Sequence, residues 1–187
     1  MLERALIAYA SPTLARLKAG SLFAVPSGDK ALSEEMARVN GILRPRGLRL
    51  IALRSEARRT LLYLYRERAL RETLLCPEVQ ALLAGCGYRE FTPENALSTL
   101  RDRLTMSEGF PHEIGVFLGY PVADVIGFIR NGGRNCLCAG CWKAYANESE
   151  ARRTFARLDK CRSVYTRMYA EGCPLSRLAV RTMGDQG

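Results

Sequence analysis

The sequence predicts an α+β fold: a single domain with a mixed sheet of about four strands and helices packed on it. Three observations carry this expectation. Residues 48–53 and 60–65 are apolar runs separated by the charged segment SEARR, the pattern of two antiparallel strands joined by a four-to-six-residue connection. Helical periodicity fills most of the flanking chain. After residue 110 the order strand–helix–strand–helix would set the last two strands parallel, with a right-handed crossover, if they share a sheet. At 187 residues, 48% hydrophobic and 25% charged, the chain can bury a substantial core.

Taken in order, residues 2–9 read as a short helix. Ser11 then stands as an N-cap with Pro12 at the first helical position, and Leu14 and Leu17 share a face until Gly20. Residues 21–26 run extended. A helix over 33–43 places Met36, Val39 and Leu43 at helical spacing, with Pro45 beyond its end. Beyond the hairpin, helices are predicted at 67–75, at 77–84 (closed by Gly85 and Gly87) and at 96–104. Residues 112–118 alternate as a third strand. Pro121 opens a helix to about Arg130 that Gly132 and Gly133 stop, and 135–145 reads as the fourth strand. Asn147, with Glu150 three residues on, is a capping-box variant ahead of a long helix whose Phe155, Leu158, Tyr165 and Met168 face inward. The domain is expected over 1–172, with 173–187 a flexible tail.

No stretch supplies the roughly 20 apolar residues that a membrane-spanning helix needs. The first residues lack the long apolar core of a signal peptide, so a cytoplasmic location and no membrane partner are expected. Seven cysteines, an odd number, argue for free thiols or a metal site rather than a disulfide framework. The net charge is +9, and 24 of the 28 basic residues are arginine. A GC-rich genome explains that bias, as does a surface for nucleic acid, an acidic protein partner or an anionic ligand. Arg152, Arg153, Arg157, Lys160 and Arg167 are interleaved with Glu148, Glu150 and Asp159, which favours a solvated helix face over a nucleic-acid footprint.

Residues 110–145 hold the only histidine, the only tryptophan and three of the cysteines. Strand alternation would turn His112, Ile114, Val116 and Leu118 to the core, and Glu113, Gly115, Phe117 and Gly119 to an open face where a ligand could approach. Gly119-Tyr120-Pro121 then leads into a helix whose first backbone N–H groups would suit an anion, unless Asp124 already engages them. Cys136, Cys138 and Cys141 form C-x-C-x-x-C. These thiols could hold a soft metal ion or an iron–sulfur cluster only if Gly140 breaks the strand, because Cys141 otherwise points away from the other two. In so arginine-rich a chain, Lys18 and Lys143 are candidate anion contacts, since a compact ammonium suits a tight site.

The words FPHEIGVFLGYPVADVIGF and GCWKAY, with SPTLARLKAGSLF and LLYLYR earlier, resemble an uncharacterised bacterial family, domain of unknown function 3793, over most of the chain. The resemblance implies candidate positions and no activity. In that family tyrosine often replaces Cys141, which makes Cys138 a better functional candidate than a three-thiolate site. It also suggests an association with flavodoxin-like proteins, acidic electron carriers that would suit a positive surface. Three readings follow. The first is a binding protein for a small anionic or redox-active ligand, with Glu113, Tyr120 and Lys143 as polar contacts, Trp142 and Phe117 as walls, and Cys138 as a soft ligand. The second is a basic interaction module, and the third an enzyme using Cys138 or His112.

Overall fold

The computed structural model describes residues 1–27, 30–106 and 109–181. Its elements are α1 (Leu2–Leu14), β1 (Gly20–Pro26), α2 (Lys30–Leu43), a 3-10 turn (Arg44–Arg46), β2 (Leu48–Ser55), β3 (Arg59–Arg66), α3 (Glu67–Leu74), α4 (Pro77–Gly85) and α5 (Pro93–Met106). There follow α6 (Ile114–Phe117), α7 (Val122–Arg130), β4 (Cys138–Ala139), β5 (Lys143–Ala144), α8 (Glu148–Ala170) and α9 (Leu175–Leu178). The fold is α+β, with a three-stranded sheet of order β1-β3-β2 and a separate two-stranded hairpin, β4-β5, in place of the single four-stranded sheet expected. All strand pairs are antiparallel, so the parallel crossover of the sequence reading is not formed among the described residues. Nor is any helix among them long and apolar enough to cross a membrane. The chain packs as two compact units, Met1–Ala69 with Lys160–Gly187, and Leu70–Asp159.

In the first unit the strand period of two decides which residues are covered. Phe23 pairs with Leu62 and Leu50 with Leu64, so Phe23, Val25, Leu62, Leu64, Leu48 and Leu50 share one buried face. Leu6 and Leu14 of α1 and Val39 and Leu43 of α2 belong to the same core. Each such side chain contributes about 1.5–3 kcal/mol by leaving water. A register shift between Ala52 and Arg54 marks a bulge in β2.

Side chains close what the ladder leaves open. Asn40 of α2 donates its amide to Leu50 O at 2.9 Å and accepts from Leu50 N at 3.0 Å, a two-way clip on β2. Arg66, 5% exposed at the end of β3, donates to Thr13 O (2.8 Å), Leu14 O (2.7 Å) and Val180 O (2.9 Å). Burial, with Arg16 nearby, lowers its pKa to about 10, so it remains a cation at neutral pH.

Two differences from the sequence reading concern this unit. Ser11 does not cap a new helix: α1 runs through Pro12, and the Ser11 hydroxyl donates back to Ile7 O. Proline is tolerated there because only two helical residues follow it. The segment from 173 on, expected as a tail, carries α9, whose Leu175 and Leu178 are buried in the core. Residues 182–187 of that expected tail lie outside the described residues.

In the second unit, residues 112–118 are not a strand. Ile114–Phe117 forms the single helical turn α6, and Ile114, Gly115, Val116, Phe117 and Leu118 are all buried. A run buried all round satisfies a core helix as well as a strand, and periodicity cannot separate the two. The C-terminal glycine decides it. Gly119 adopts φ 75°, Tyr120 N donates to Gly115 O (2.9 Å) and Gly119 N to Val116 O (3.0 Å), which is a helix-ending Schellman motif. The expected strand 135–145 shrinks to β4 and β5, paired Cys138 with Ala144 and Ala139 with Lys143. Gly140 N closes the turn on Trp142 O at 3.0 Å. The helix expected at Pro121 is α7, and Asn147 caps α8 by accepting from Glu150 N at 3.1 Å.

Candidate functional site

Asp124 organises the loops of the second unit. It sits in the first turn of α7, 4% exposed, and both its oxygens are engaged. Oδ2 accepts from the indole Nε1 of Trp142 at 2.8 Å, and Oδ1 from the backbone N–H of Tyr145 (2.7 Å) and Ala146 (2.9 Å). A buried carboxylate with three N–H donors is satisfied without a counter-cation. It therefore joins α7 to the end of the β4-β5 hairpin and orients Trp142. The indole stacks on Tyr120 (centroids 5.1 Å apart) and meets Phe155 edge-on (4.6 Å). The Tyr120 hydroxyl donates to Cys141 O at 2.9 Å.

These elements border a half-open cavity of about 380 Å³ lined by Phe110, His112, Ile114, Gly115, Leu118, Tyr120, Asp124, Val125, Phe128, Ala139, Gly140, Trp142 and Lys143. Its volume falls in the range of small-molecule sites. Gly115 and Gly140 allow the walls to close. A Cβ at Gly115 would lie 2.7 Å from Val125 Cγ2 and 3.2 Å from Tyr120 Cδ2, and one at Gly140 would overlap the Phe155 ring. On the same cavity, the exposed imidazole of His112 meets Phe128 edge-on at 4.9 Å. Lys143 Nζ donates to Gly133 O at 2.8 Å and stands 5.9 Å from the Phe128 ring centre, which leaves two ammonium N–H groups for a ligand.

Of the nine ligand-site candidates, His112, Gly115, Tyr120, Asp124, Trp142 and Lys143 line this cavity, and Glu113, Phe117 and Gly119 do not. The strand assignment misplaced them. In the turn that leads into α6, His112 faces outward while Glu113 turns in to 2% exposure, the reverse of the alternation expected. Glu113 is ion-paired with Arg103 and accepts from the Tyr88 hydroxyl at 3.2 Å. Burial, reinforced by the Glu113 charge, pushes the Tyr88 phenol and the Cys86 thiol up. Phe117 packs beside Tyr88 as core. Gly119 borders a smaller hollow of about 230 Å³ that shares Trp142 and Asp124 with the main cavity. Phe110 and Phe128 were missed as walls; the aromatic residues flanking His112 at −2 and +16 carried no periodic signal.

The cysteines are not gathered. Cys138 is buried in an apolar cluster with Ala144, Ala151 and Phe155; Cys141 packs against that cluster, and Cys136 is not part of it. Among the described residues no three His, Cys, Asp or Glu side chains form a group that could hold a metal ion. The tight turn at Gly140 does break the expected strand, yet Cys138 goes into the apolar cluster with Phe155 and Cys136 stays outside it. Lys18 lies half-buried in the connection between α1 and β1 of the first unit, apart from the lining of this cavity. Of the basic residues on α8, Arg152 is ion-paired with Glu148 at 2.7 Å.

No curated protein and no solved structure matches the chain. The family model described as Protein of unknown function (DUF3793) matches residues 6–179, and the chain belongs to that family.

Proposed function

We propose that the protein is a binding protein for a small anionic or redox-active ligand, held in the cavity between α6, α7 and the β4-β5 turn. The observation that carries this reading is the meeting of the chain's only histidine, its only tryptophan and Lys143 on one 380 Å³ cavity. Trp142 and Tyr120 would supply one wall, Phe128 and His112 another, and the Lys143 ammonium the charge that attracts an anion. Cys138 takes no part, since it is buried in the apolar cluster and absent from the lining.

Protein purified without oxygen, then analysed by native mass spectrometry and by thermal shift against a panel of organic acids and redox cofactors, tests the reading. A co-purified small molecule, or a rise in Tm that Trp142→Ala abolishes, is the expected result. No bound mass and no shift with any compound would count decisively against it.

A further inference from the structure

Resting on that reading, we infer that the ligand is a flat aromatic monoanion: a ring system of one or two fused rings carrying one carboxylate-type group. Four of the thirteen described lining residues, Phe110, Tyr120, Phe128 and Trp142, are aromatic in a chain where Phe, Trp and Tyr make up only 8%, and the ring of His112 joins them. Four of them meet in pairs, Tyr120 stacked with Trp142 and His112 edge-on to Phe128. Such walls favour a planar ring over an aliphatic body of equal volume, because offset stacking and edge contacts add to the burial of apolar area.

The charge of the ligand follows from which polar groups are still open. Asp124, the only acid among the described lining residues, has both oxygens engaged by three N–H donors. The Tyr120 hydroxyl is bonded to Cys141 O and Gly140 N to Trp142 O. Lys143 keeps two N–H groups, and the exposed His112 ring stands on the same cavity. An aromatic-walled cavity can also receive an organic cation. Here such a cation would meet the Lys143 ammonium, with no open carboxylate among the described lining residues to balance it. A phosphate dianion is a poor match as well, because one ammonium neutralises one charge and no guanidinium fork is among the described lining residues.

Calorimetric titration of the full chain with four probes tests the class: 2-naphthoate, its saturated counterpart decalin-2-carboxylate, neutral 2-naphthamide and cationic 2-naphthyltrimethylammonium. Naphthoate should bind tightest, with the other three weaker by about tenfold, the factor expected for one lost charge-assisted bond or one lost stacking surface. Lys143→Met should close most of the gap between naphthoate and naphthamide, and Lys143→Arg should restore part of it. Unchanged Tm in both variants shows that the fold is intact. Equal binding of the saturated acid or of the cation, or a naphthoate preference that survives Lys143→Met, overturns the aromatic monoanion while leaving a ligand cavity standing. Absence of heat from all four probes overturns the inference. The wider reading falls with it only if the organic-acid and cofactor panel is silent too.

Discussion

Asn40 and Asp124 each tie a stretch of backbone to a helix, one in each unit, and their surroundings differ. Asn40 adds its two bonds to Leu50 on a strand that β3 already pairs on either side of a single bulge. Asp124 takes the amides of Tyr145 and Ala146 beside a hairpin only two pairs long. The first unit satisfies its backbone by repetition; the cavity region does so through single side chains. Repetition tolerates the loss of any one member, whereas a loop fixed by one carboxylate does not. Irregular backbone held in that way is also what lets Tyr120, Phe128, Trp142 and Lys143 converge, which no regular strand could arrange.

The largest effect is expected on removing the single points. Asp124→Ala leaves the Trp142 indole and two backbone N–H groups without their acceptor and should cost about 3 kcal/mol or more, against about 1 kcal/mol for Asn40→Ala. Amide exchange at Tyr145 and Ala146, compared with Leu50, reads the difference directly. Similar losses at both places would break the contrast. Arg103→Met strands the buried Glu113 carboxylate and should cost about 3 kcal/mol in urea unfolding, because the cost is that of an uncompensated buried charge. Adding Glu113→Gln should recover part of it; no recovery would remove the ion pair from the account.

Two glycines sharpen the comparison with opposite signs. Gly115→Ala drives a methyl into Val125 and Tyr120 and should destabilise by about 1–3 kcal/mol. Gly41→Ala, in α2 of the first unit with nothing within 4 Å of the new Cβ, should stabilise by roughly 0.5–1 kcal/mol. Thermal unfolding of the two variants decides it. The last effect appears only in alkali and does not distinguish the units. Burial raises the phenols of Tyr63 and Tyr88, that of Tyr165 to about 12, and the thiols of Cys86 and Cys161. Above the ordinary thiol and phenol values of 9.0 and 10.0, the folded chain therefore holds more protons than the unfolded one, and stability should fall as pH rises. A flat Tm between pH 8 and 11 would contradict that sign.

The hairpin of β2 and β3, the helices α2 to α5 and α7, and the Asn147 cap of α8 were legible because period, caps and prolines agreed there. Residues 112–118 misled because every side chain from Ile114 to Leu118 is buried, so alternation carried no information. The glycine and proline of Leu118-Gly119-Tyr120-Pro121 were the better signal, since a left-handed glycine followed two residues later by proline is how helices stop. The candidates that line the cavity were picked out by the crowding of scarce residues and not by geometry. Tyr120, Trp142 and Lys143 survived the wrong secondary structure because their neighbourhood depends on the turns. Glu113 and Phe117 did not, because their direction depended on the period.

Arg66 and α9 bear on the order in which the chain can fold. Part of the first unit's core, Leu175, Leu178 and Ala179, comes from more than 100 residues after β3, and Arg66 reaches Val180 across a separation of 114. The second unit is contiguous in sequence. During synthesis the three-stranded sheet must therefore wait, its apolar face unfinished, until residues near 180 have emerged, although it was made first. Nascent chains stalled with α9 still in the ribosomal exit tunnel should leave the segment from residue 1 to 69 open to protease, and release past residue 181 should close it.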